Sequence, residues 1–183
     1  MKKAIILPAA LALVSLAACN AESDAVAPGE TSVTETTLGE AMAEEPQVSG
    51  LVDAIEQADL AQIFEAPAGY TVVAPPNEAF AQMAGESSTV PPAILAAMLR
   101  EHMLPGQLDI EAIRSAIGEN GGKVTLATLG TGMIEFTLDG DTVVATHTDS
   151  QRKARLTGSG VQANNGALLL ADGLRVEPPT PSE

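Results

Sequence analysis

Two histidines, a single cysteine and scattered carboxylates are the residues of this chain with the most obvious chemistry. A zinc centre needs three or four Cys, His or carboxylate ligands that converge, and His102, His147 and the distant Cys19 do not supply such a set. The sequence has no G-x-S-x-G elbow for a nucleophilic serine and no phosphate-cradling glycine loop. Gly130-Thr131-Gly132 lacks the third glycine of a dinucleotide fingerprint and does not open a helix. Asp139 and Asp141 flank Gly140 and read as turn residues, which require no metal. His102 falls on an apolar helix face. A structural, hydrogen-bonded role explains that placement, with a catalytic or ligand role as the alternative. The residues therefore indicate no catalytic set, no metal and no cofactor.

Composition narrows the choice further. There are 24 Asp and Glu against nine Lys and Arg, for a formal charge of −15 over 183 residues. Nucleic acid as a partner is excluded on this balance, because its phosphates require positive charge. Apolar residues make up 45 %, enough for the core of one domain. Aromatic residues make up only 2 %, namely Phe64, Tyr70, Phe80 and Phe136. Stacking platforms for sugars or single strands are thus nearly absent.

The first residues read as a targeting segment. Lys2 and Lys3 precede an uncharged run over 4–18, too short to span a bilayer. It ends in Leu16-Ala17-Ala18-Cys19, which resembles the bacterial lipobox. That resemblance implies cleavage after residue 18, a diacylglyceryl thioether on Cys19 and acylation of the new amine. Several acyl chains anchor stably where one does not. The expected result is a protein held on the membrane without crossing it, and Asn20 favours the outer membrane. Residues 20–46 then carry seven acids and no Lys or Arg. Such a segment buries too little to offset its ordering entropy, so 19–47 reads as a lipidated Cys and a disordered acidic tether. A solvated spacer and a cation-binding tail both fit it.

The elements that would position the remaining residues begin at 48. Leu51, Val52 and Ile55 give an amphipathic helix with Ser49 as candidate cap. The stretch 70–74, Tyr-Thr-Val-Val-Ala, suits a buried strand that Pro75 and Pro76 end. Asn77 then reads as an N-cap with Glu78 in the first turn, and Ala79, Phe80 and Met83 follow at helical spacing. Ile94, Leu95, Met98, Leu99 and His102 share one helix face. Asp109 caps a helix that turns Ile110, Ile113 and Ile117 inward. From Lys123 the period becomes two, with Ile134, Phe136 and Leu138 alternating and Asp139-Gly140 as a hairpin turn. Arg152, Lys153 and Arg155 form a local basic cluster, either a salt-bridged patch or a contact site. The uncharged run 167–171 suits a central strand.

Two separated segments carry a family resemblance. The strand followed by Ala74-Pro75-Pro76-Asn77-Glu78-Ala79-Phe80 resembles the first conserved motif of the fasciclin-like domain, with Pro76 where that family usually has Thr. The second, Asn164-Asn165-Gly166 before a hydrophobic strand and Asp172, resembles its second motif, with Asn164 in place of Ser. Between them His102, Pro105 and Gly106 match a Tyr-His and Pro-Gly region, and Glu101 stands where the tyrosine would be. The resemblance covers 48–179, leaving 180–183 as a tail. It implies an α+β fold: a helical N-terminal half packed on a small, mostly antiparallel sheet of wedge-like shape. Thr71, Ala74, Pro75, Asn77, Phe80, His102, Pro105, Gly106, Asn165, Gly166 and Asp172 are its motif positions, structural or adhesive. By this resemblance, joined to that of the lipobox, the protein is expected to be a non-enzymatic, lipid-anchored envelope module making adhesive contacts with a protein or matrix partner. The alternative is a carrier of a small apolar ligand such as a carotenoid or lipid.

Cys19→Ser should move the chain out of the membrane fraction as an unprocessed or mis-processed form, as read by fractionation and mass spectrometry. Equal membrane retention and processing would contradict the lipobox reading.

Overall fold

The computed structural model describes residues 35–78 and 90–172. Seven described strands form one sheet: β1 (Tyr70–Ala74), β2 (Met103–Pro105), β3 (Lys123–Ala127), β4 (Met133–Asp139), β5 (Thr142–His147), β6 (Lys153–Ala163) and β7 (Gly166–Asp172). Their order is β2-β1-β7-β6-β5-β4-β3. Every pairing is antiparallel except β1 with β7, so the α+β, mostly antiparallel expectation holds. The ends of the sheet approach each other, with the Leu129 N–H donating to the Met103 carbonyl at 2.8 Å.

The described helices are α1 (Leu38–Ala43), α2 (Ser49–Gln57), α3 (Pro92–Arg100) and α4 (Ile110–Glu119), with 3₁₀ turns at Pro46–Val48 and Ala61–Glu65. They build two apolar clusters on opposite faces of β1 and β7. One joins α1, α2, α3 and Phe64 to Val72, Ala74 and Leu168. The other fills the concave side of the sheet with Val73, Ile134, Phe136, Val143, Ala145, Leu156, Leu169 and the α4 residues Ile113 and Ile117. Strands buried on both faces tolerate no charge, which is why 70–74 and 167–171 contain none. Asp109 caps α4 as its sequence position suggests, accepting from the Ala112 N–H at 2.7 Å.

Three expectations are corrected. The acidic stretch to residue 47 is not all tether, since α1 lies within it and buries Leu38, Ala41 and Met42. Those three sit at helical spacing, and Thr37 with Glu40 forms a capping box that satisfies the first free N–H groups. Average composition hid a six-residue local period. Ser49 is not the cap of α2: Val48 holds that position without a side-chain bond. Asn77 supplies the bond instead, from a distant part of the chain. Its Oδ1 accepts from the Gly50 N–H at 3.0 Å and its Nδ2 donates to the Pro46 carbonyl at 2.8 Å. It therefore caps α2 from a distance in sequence. Ile94, placed on the inner face of α3, is 41 % exposed, because the buried stripe is Leu95, Ala96, Met98 and Leu99. Cys19, Phe80 and Met83 lie outside the described residues.

Gly166 opens β7 where no side chain fits. A Cβ there would lie 2.5 Å from the Tyr70 carbonyl oxygen and 2.6 Å from Leu38 Cδ2. Because the first of these is backbone inside a strand pair, Gly166→Ala should destabilise the fold by about 1–3 kcal/mol in chemical denaturation. An unchanged midpoint would contradict this packing.

Candidate functional site

The densest polar constellation among the described residues surrounds Glu101. Helix α3 ends at Arg100, and the turn that follows sends Glu101 and His102 to different surroundings. The Glu101 carboxylate enters the loop between β3 and β4. That loop is held beside the turn by the Gly130 N–H, which donates to the Arg100 carbonyl at 3.1 Å. Glu101 Oε1 accepts from the Thr131 N–H at 2.7 Å and from its hydroxyl at 3.3 Å. Oε2 accepts from the Thr128 hydroxyl at 2.8 Å and the Gly132 N–H at 3.0 Å. His147 Nε2, at the end of β5, lies 3.2 Å from the same oxygen. The Ser150 N–H faces His147 Nδ1 at 3.4 Å, so Nε2 carries the proton and donates to the carboxylate. The two side chains are only 19 % and 20 % exposed.

These donors decide the charge state. Burial alone would raise the Glu101 carboxyl, but the Thr131 amide, the Thr128 hydroxyl, His147 and the Gly132 amide outweigh it. They hold the carboxyl at about 2, below its ordinary 4.5. A carboxylate this weakly basic and this fully hydrogen-bonded is a poor general base near neutrality. His102 turns the other way and is 6 % exposed. Its Nδ1 donates to the Met98 carbonyl at 3.1 Å, while Nε2 is buried with no partner among the described residues. Burial pushes the ring down to about 4 from 6.5, and the Met98 carbonyl opposes this only in part. His102 is therefore held neutral within the core.

The remaining motif positions are bound up in the fold. The Thr71 hydroxyl donates to the Gly106 carbonyl and accepts from the Leu108 N–H, both at 2.8 Å. Gly106 takes φ +93°, a conformation that suits glycine, and its N–H reaches the Gly69 carbonyl. Pro105 pairs with Tyr70 across β1 and β2. Ala74 and Pro75 are buried, Ala74 within the apolar cluster that α2 joins. Asn165 Oδ1 accepts from the Leu38 N–H at 2.7 Å, and its Nδ2 faces the Phe64 and Ala66 carbonyls, each at 2.8 Å. Asp172 Oδ1 accepts from the Arg155 N–H at 2.7 Å. Arg155 also pairs with Asp139 at 2.7 Å. With Lys153, Thr137, Val144, Ala154 and Asp172, these two line an open groove of about 580 Å³ on the sheet's outer face.

The sequence pointed to the motif positions but not to the Glu101 cluster. Thr128, Thr131 and Gly132 carry no local signal, and Glu101 drew notice only as a departure from tyrosine. The one available cue was an acid immediately before a histidine on an apolar face.

Acid should weaken the fold in two steps. Between pH 6.5 and 4 the unfolded chain binds a proton at His102 that the native state refuses, so stability falls as pH falls. Between 4.5 and 2 the same sign applies to Glu101, whose charged form the native state favours. The His102 step is worth on the order of 3 kcal/mol. His102→Gln should remove most of the loss between pH 6.5 and 4 in denaturation curves, and an unaltered slope would contradict the buried neutral assignment.

Comparisons with known proteins agree with this architecture. The family model described as the fasciclin domain matches residues 46–174. A comparison with curated proteins found no match. Among solved structures, the chain is similar to a FAS1 domain pair from the insect cell adhesion molecule fasciclin I, with a TM-score of 0.55 and 17 % identity. The likeness covers 71 % of this chain and 44 % of that one, so this chain spans less than half the length of the relative. At that identity the likeness speaks for the fold, and one domain of the pair accounts for it. With most of its length matched by the family model, the chain belongs to the fasciclin domain family.

Proposed function

We propose that this protein is a non-enzymatic adhesion-type module of the cell envelope, lipid-anchored through Cys19 to the outer membrane and making contacts with a protein or matrix partner. The observation that carries this reading is membership of the fasciclin domain family, joined to the fold it shares with a cell adhesion molecule. The polar chemistry around it is consistent. Thr71, Asn77, Asn165 and Asp172 each bond to backbone groups within the fold, which supports structural roles over catalytic ones.

The carrier alternative, a small apolar ligand such as a carotenoid or lipid, draws less support. The concave side of the sheet is filled by Ile134, Phe136, Val143 and Leu156. The groove on the opposite face carries Lys153, Arg155, Asp139 and Asp172, groups that favour polar contacts.

Liposomes bearing the lipidated chain should adhere to surfaces coated with cell-envelope or matrix material more than bare liposomes do. Native mass spectrometry of the anchor-free protein should give the mass of the polypeptide alone. A stoichiometric apolar mass together with no surface adhesion would overturn the proposal.

A further inference from the structure

The geometry points to the β3–β4 loop being a carboxylate-binding site that the chain fills with its own Glu101. This inference does not depend on the adhesion reading. The loop presents two consecutive backbone N–H groups, from Thr131 and Gly132, to the two oxygens of one carboxylate at 2.7 and 3.0 Å. The Thr128 hydroxyl and His147 Nε2 add donors at 2.8 and 3.2 Å. Successive backbone N–H groups that converge in this way make a concave anion site. The glycines belong to the device. A Cβ on Gly130 would overlap the Glu101 carboxylate, and one on Gly132 would lie 2.7 Å from its Oε2 and 2.6 Å from His147 Nε2. The loop can wrap a carboxylate only because neither residue has a side chain.

Its donors suit any carboxylate of similar size, including an acidic side chain or the C-terminus of a partner segment. In the resting chain Glu101 wins, because a tethered ligand acts at a high effective concentration. Glu101 is attached by a flexible side chain at the end of α3, so removing it should empty the site without removing the loop.

The test uses acetate as the probe. Thermal unfolding of the full-length chain carrying Glu101→Ala should be followed as sodium acetate is raised at neutral pH, with sodium chloride at matched ionic strength as control. The variant should melt lower than the parent, and acetate should raise its melting temperature along a saturating curve, as mass action requires. The parent should not respond, and Gly132→Ala added to the variant should abolish the rescue. A rescue equal in chloride, or one that survives Gly132→Ala, would overturn the site, as would a folded Glu101→Ala that ignores acetate. Should Glu101→Ala not fold, the amide protons of Thr131 and Gly132 provide a second readout. They should move upfield in Glu101→Gln, which keeps the shape and loses the charge. Unmoved resonances would overturn the assignment.

Discussion

The arrangement of this domain depends on one buried amide. Asn165 closes the turn between β6 and β7 and reaches three backbone groups with its side chain: the Leu38 N–H, the Phe64 carbonyl and the Ala66 carbonyl. Its own carbonyl accepts from the Tyr70 N–H at 3.3 Å, at the start of β1. The same side chain thus ties α1, the end of the Ala61–Glu65 turn and the sheet together. No apolar residue could do this, because buried N–H and C=O groups left without partners cost more than packing returns. Asn164 extends the joint, donating from its N–H to the Thr36 carbonyl and from its side chain to the Glu35 carbonyl. The segment that leads towards the N-terminus is therefore fastened at the turn of the second motif.

From this joint the layering follows. With α1 docked, Leu38, Ala41 and Met42 close the cluster that covers β1 and β7 on one side. The other side of those strands faces the concave interior, where α4 inserts Ile113 and Ile117. The two strands are consequently the only parallel pair and the most deeply covered part of the described sheet. The periphery holds the remaining polar features: the Glu101 loop at one end, and the outer face of β4 to β6 with its groove.

Much of this was legible in the sequence, for physical reasons that can be named. Strands covered on both faces become uncharged runs, and 70–74 and 167–171 could be read at sight. Both hairpins were legible from their Asp, Asn and Gly residues, but each turn is offset by one: Asp139 pairs with Thr142 and Gly166 with Ala163, so the loops are Gly140-Asp141 and Asn164-Asn165, with Gly140 at a positive φ of 61°. What could not be read was tertiary substitution of a local role. Nothing in the residues around Asn77 shows that its amide caps α2, 27 residues earlier. The acids around α1 hid three buried residues, because seven charges dominate an average that no individual packing contact obeys. The role of Glu101 could not be read from its neighbours in sequence. Its partners come from the β3–β4 loop and the end of β5, and only folding assembles them.

Asn165 as the joint between the helical layer and the sheet is the claim on which the rest stands. Native-state hydrogen exchange at the Leu38 amide tests it most directly, since that N–H donates to Asn165 Oδ1 at 2.7 Å. The Leu38 amide should exchange only through openings close in free energy to global unfolding, and Asn165→Ala should collapse its protection together with that of the rest of α1 while β4 and β5 keep theirs. Rapid exchange of Leu38 in the unmodified protein, or protection that survives Asn165→Ala, would contradict the account.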